Sequence, residues 1–143
     1  MILAAARAGL ALGLLACSSD TSRLTPDQET RFGAEGLVRR ADNVWFRYTH
    51  DAGTRTAGGE DRLGSIVVTR QTVLIHKNQK VGITITPASR RAYDVARDGD
   101  RVRIGAGSGK SREVWSFVPP DDAEGWTRDI RAVIRSARTP GTP

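Results

Sequence analysis

Three kinds of residue in this chain carry enough chemistry to be weighed first: two histidines, one Gly-Lys-Ser run and an excess of arginine. His50-Asp51 with a serine such as Ser65 has the residue types of a hydrolytic dyad, in which a carboxylate orients an imidazole that takes the hydroxyl proton. No serine sits in the Gly-x-Ser-x-Gly turn that exposes a nucleophile, so the chain is read as non-enzymatic. His76 follows Val73-Leu74-Ile75 on the same side as Leu74, where a hydrogen-bonded or exposed imidazole is expected rather than a ligand. Residues 105–111 end in Gly109-Lys110-Ser111, but a phosphate-binding loop needs a glycine where Ile104 stands and a helix afterwards. A strand pattern follows instead, so this run is expected to be a hairpin turn. Glu60-Asp61 and Asp121-Asp122 read as loop and helix-cap residues. The two histidines are too far apart to suggest a metal cluster, and no cofactor is implied.

The net charge is +6, and the cations are mostly arginine. Arg39-Arg40, Arg90-Arg91, Arg101, Arg103 and a series near the C-terminus, Arg128, Arg131, Arg135 and Arg138, are the candidates for a basic interaction face. Each exposed cation near an anionic bilayer adds up to ~1 kcal/mol. Arginine in the last turns of a helix also complements the dipole and keeps the outer face soluble, so both roles stay open for these four. The expected partners are an envelope protein or an anionic surface. Nucleic acid is not expected, because exposed aromatics do not interleave with the cations.

The first 16 residues carry one cation, Arg7, in an otherwise apolar run rich in small residues, the layout of a secretory signal. As a helix this run spans only ~24 Å, short of the ~30 Å hydrocarbon core of a bilayer. It ends Leu14-Leu15-Ala16-Cys17, which resembles the lipobox of bacterial lipoproteins. That resemblance implies cleavage before Cys17 and acyl chains on its sulfur; the alternative is ordinary signal cleavage that leaves a spare thiol. Cys17 is the one cysteine, so an intramolecular disulfide is excluded. Two or three acyl chains hold a protein where one gives only reversible binding. Ser18 and Ser19 lack the aspartate that marks inner-membrane retention in some species, which leans towards the periplasmic side of the outer membrane. Residues 17–31 are polar and are expected to be the lipidated N-terminus and a flexible tether of ~20 Å reach.

The elements that must position any site follow from period-2 patterning. Val44, Phe46 and Tyr48 mark a first strand, and a polar stretch over residues 51–63 reads as a long loop. Residues 65–69 and 72–76 form a second and third strand, and Val81, Ile83 and Ile85 a fourth that Pro87 ends. Tyr93 and Val95, then Val102 and Ile104, flank the Asp98-Gly99 turn, and residues 114–118 complete seven. Asp121-Asp122 opens a helix whose Ala123, Trp126, Ile130, Val133, Ile134 and Ala137 make one apolar stripe.

Seven strands closed by a helix with a core-facing tryptophan resemble the pleckstrin-homology (PH) superfold, and in particular bacterial PH and GRAM-type domains. The hairpin over residues 64–75 is similar to their glycine-led, threonine-containing hairpin. The resemblance implies a mainly β, PH-like bent barrel over residues 32–138, capped by the helix, with residues 139–143 a disordered tail. It also implies a binding module. The Arg-x-Arg element of phosphoinositide-binding members is not matched in the first hairpin, so that specificity is not carried over. The expected function is a membrane-anchored envelope lipoprotein with a non-enzymatic interaction module. The alternative is a carrier or sensor of a small apolar ligand in a β-barrel lipoprotein.

Overall fold

Strands whose apolar residues alternate can bury one face and leave the other to solvent. Seven such strands form a single antiparallel sheet: β1 (Leu37–Asp51), β2 (Thr56–Thr69), β3 (Val73–Lys77), β4 (Lys80–Ile85), β5 (Tyr93–Asp98), β6 (Arg101–Ala106) and β7 (Arg112–Phe117), in the order β4-β3-β2-β1-β7-β6-β5. The computed structural model describes residues 23–51, 56–77, 80–109 and 111–138. Residues 1–22 with the expected signal segment and Cys17, Lys110, and the tail at 139–143 lie outside them. The sheet curls into a half-barrel, and the C-terminal helix α2 (Ala123–Arg138) packs on it, chiefly against β5.

The concave face and α2 form one core of Phe46, Ile66, Ile75, Ile104, Trp115, Phe117, Trp126 and Ile130, all at most 2% exposed. The two edge strands are brought together there: the Tyr93 hydroxyl donates to the Thr84 carbonyl at 3.3 Å, from β5 to β4. Between β5 and β6 the chain reverses in two residues. Asp98 pairs with Arg101, and Gly99 takes the positive φ of 63° that this tight turn demands.

Two expectations need correction. The long loop over residues 51–63 is instead mostly strand: β2 begins at Thr56 and pairs with β1 through Tyr48 opposite Glu60 and Arg47 opposite Asp61. Residues 56–62 lack apolar alternation, but a ladder needs only backbone groups, and the long β1 supplies them. The second correction concerns the end of the stretch expected to be a tether. Residues 26–31 belong to a helix, α1 (Pro26–Ala34), started by a capping box between Thr25 and Gln28 with Pro26 in the first turn.

Helix α1 lies on the convex face, where Leu24 and Phe32 bury against Val67 and Leu74. Its end is fastened by Glu35, which accepts from the Thr69 hydroxyl at 3.0 Å and pairs with Arg31 at 2.9 Å. Burial works against ionisation of this carboxyl, but hydrogen bonds from Thr72, Arg31 and Thr69 prevail and hold it below the usual glutamate value. Arg40 ties the helix to β1 through Glu29, at 2.9 Å.

Candidate interaction surface

The structure separates the basic positions into three groups. Arg39 and Arg40 are structural. Arg39 faces Asp121, Asp122 and Asp129 and covers the Trp126 ring at 5.5 Å, while Arg40 pairs with Glu29 and Asp42. Arg101 and Arg103 lie on β6, on the sheet face away from α2. Arg90, Arg91 and Arg138 come together around an open cleft of about 360 Å³ between the β4–β5 loop, the start of β5 and the last turns of α2.

This cleft has a mixed lining suited to an anion that carries an apolar part. Tyr93, Ile134 and Ala137 supply the apolar surface. Arg91 is held rigidly at the rim by Glu113 at 3.0 Å and by the Ala106 carbonyl at 3.3 Å. Arg138 donates to the Tyr93 carbonyl. Arg90 is exposed on the loop, and among the described residues no carboxylate lines the cleft.

The four helix arginines do not share one role, and of them Arg135 is exposed in the last turns of α2. Arg138 and Arg131 point their guanidinium groups at the carbonyls of Tyr93 and Val95, the latter a long contact of 3.5 Å. Two turns further towards the start of α2, Glu124 pairs with Arg97 at 3.6 Å. Steps of seven residues on the helix thus match steps of two on the strand, with α2 antiparallel to β5. An edge strand exposes alternate carbonyls that invite another chain to pair, and these side chains cover them. Arg128 binds Asp129 at 3.1 Å, which raises its own affinity for the proton. Replacing Arg131 and Arg138 together by alanine is expected to lower stability by only about 1 kcal/mol, since both are exposed. The same variant should show concentration-dependent self-association in size-exclusion chromatography as β5 opens; monomers at every concentration would show that the carbonyls need no cover.

The residues of the considered dyad are not assembled. His50 is on the concave side, with the Tyr48 hydroxyl 3.4 Å and a Glu113 oxygen 4.0 Å from its Nδ1, whereas Ser65 is buried opposite His76 in the β2–β3 ladder. His76 is 2% exposed on the side of Leu74. The glycine-rich run is the β6–β7 turn, with positive φ at Gly107 and Gly109 and strand β7 following. Among the described residues, no three His, Cys, Asp or Glu side chains gather as a metal site would require, and no helix is long and apolar enough to cross a membrane.

One exposed aromatic escaped the sequence reading. Trp45 is 62% exposed on β1, although its alternation with Val44 and Phe46, on the parity of Arg47, already assigned it to the solvent side. In comparisons with known proteins, no family model and no curated protein matches this chain.

Proposed function

We propose that this chain is a membrane-anchored envelope lipoprotein whose PH-like half-barrel is a non-enzymatic interaction module, with the arginine-rimmed cleft as its recognition site. The observation that carries this reading is the juxtaposition of Arg90, Arg91 and Arg138 over Tyr93, Ile134 and Ala137. A partner with an acidic segment and an apolar side chain fits that lining, because guanidinium groups bind carboxylates bidentately while the floor takes the apolar part. The curled sheet with its C-terminal helix is compatible with the PH-like resemblance, and folds of that kind bind more often than they catalyse. The apolar-ligand carrier is the second reading. It needs a hollow barrel, and the filling of this one by Phe46, Ile104, Phe117 and Trp126 favours the first.

Anchoring rests on the motif that ends at Cys17. Intact mass of protein extracted from membranes should correspond to a chain that starts at Cys17 and carries acyl groups, and Cys17→Ser should move the protein into the aqueous fraction. A mass that includes residues 1–16, or lacks acyl groups, rejects the anchor. For the cleft, Arg90→Glu should reduce crosslinking to the acidic partner roughly tenfold, as reversing one exposed charge next to others implies. Unchanged crosslinking rejects the cleft.

A further inference from the structure

We propose that the uncovered half of the convex face, centred on Trp45, is the surface that lies against the bilayer holding the N-terminus. The proposal rests on the tethered reading above and assigns that body an orientation, with the arginine cleft left on the helix side of the sheet.

The convex face is divided. Helix α1 and Leu24 cover it over β2 and β3 and reach the start of β1 through Glu29 and Arg40, while further along β1 and past the end of β7 the described residues leave Trp45 and Val118 exposed. The register puts Trp45 opposite Leu63, and Val118 follows Phe117, the partner of Phe46, so Leu63, Trp45 and Val118 form one apolar row. Val118 is 44% exposed. In the adjoining row Arg47 and Arg103 flank Ser116, and Arg101 lines both the Trp45 cleft and the Arg47 cleft. An apolar row in which Trp45 and Val118 are exposed and Leu63 is half-buried, rimmed by cations, marks an interaction surface.

The residue types fit a bilayer interface. Indole is enriched at the level of lipid headgroups, and guanidinium binds phosphate in two-point geometry. Asp98, 3.7 Å from Arg103, reduces the cationic excess. Insertion of Trp45 therefore provides the main attachment, and preference for anionic lipid is secondary.

The chain geometry points the same way. Leu24 is buried on this convex side, and Cys17 precedes Arg23 by about six residues, at most ~21 Å of extended chain. Trp45 lies about four residues along the sheet and one strand across from Val67, or ~14 Å, so the acyl chains and Trp45 can meet the same plane.

The test uses the only exposed tryptophan as its own probe, since Trp115 and Trp126 are 2% and 1% exposed. Full-length protein, as isolated from bacterial membranes, is placed in phosphatidylethanolamine and phosphatidylglycerol vesicles whose acyl chains carry bromine near the headgroup end. The Trp45 emission, obtained by subtracting that of Trp45→Phe, should fall about twofold relative to unbrominated vesicles. Arg101→Glu with Arg103→Glu should weaken that quenching. Equal emission with and without bromine overturns the proposal, as does shielding of Trp45 from acrylamide before vesicles are added, which would show that this chain or a second copy covers it. Intact mass of the same sample reports the acyl chains at Cys17 separately, and bromine quenching decides the face whichever mass is found.

Discussion

Trp126→Ala is expected to destabilise the protein by ~3–5 kcal/mol, the range for removing a large aromatic side chain from a packed core. Trp126 is 1% exposed, and its ring meets Phe117 edge-on at 5.7 Å between centroids, so its loss would leave a cavity where α2 joins β7. Its Nε1 donates to Asp121 at 2.6 Å, which fixes the chain as it enters the helix, and Arg39 covers the other face of the ring. Urea titration followed by circular dichroism measures the change. Trp126→Phe separates the contributions: it keeps most of the apolar contact and loses the Asp121 bond, so about 1–2 kcal/mol is expected. A loss below ~1 kcal/mol for the alanine variant would mean that α2 is not part of the cooperative unit.

Trp126 was readable in the sequence because it belongs to a stripe repeating at helical spacing, and the same holds for the strands whose apolar residues alternate. Ile83 and Ile85, or Val102 and Ile104, declare an inward face by parity alone, and all four are buried. The first half of β2 was not readable, because Ala57, Glu60 and Asp61 carry no such signal and are held by backbone pairing to His50, Tyr48 and Arg47 of β1. Helix α1 had a signal of another kind. Thr25 and Gln28 have capping-box spacing, Pro26 suits the first turn, and Leu24 and Phe32 are the apolar residues that dock it. These marks lie in a polar stretch after the apolar residues 1–16, where composition alone reads as a tether. The basic cleft was half legible. The arginines stood out as types, but only the curl of the sheet brings Arg90 and Arg91 beside Arg138, residues far apart in sequence. The role of Arg131 and Arg138 as cover for the β5 edge required the tertiary pairing of helix and strand.

Arg39→Ala is expected to cost about 3 kcal/mol, because it leaves a mostly buried carboxylate without its main counter-charge. Arg39 and Asp129 are 16% and 18% exposed at their side chains, and the pair joins β1 to α2 through Nε and Oδ2. The remaining guanidinium nitrogens face Asp121 at 3.7 Å and Asp122 at 3.9 Å. Space for this fork depends on Gly125, where a Cβ would collide with the Asp122 carboxylate and with Arg39 itself. Lysine cannot reproduce the fork or lie flat on the Trp126 ring, so Arg39→Lys should recover only part of the loss. The acid limb of the stability curve gives an independent readout. Burial raises the proton affinity of Asp129, but hydrogen bonds and positive charge from Arg39 and Arg128 outweigh it and hold the carboxyl below its ordinary value of 3.8. A carboxyl depressed in the folded state stabilises fully above its unfolded value and loses that contribution as pH falls through the folded one. Wild-type stability should therefore decline below about pH 4, with Glu35 contributing to the same limb. Urea midpoints measured across this range should fall less steeply for Arg39→Ala than for the wild type, because Asp129 then titrates nearer its unfolded value. Parallel acid limbs would show that the Arg39 fork does not set the proton affinity of Asp129.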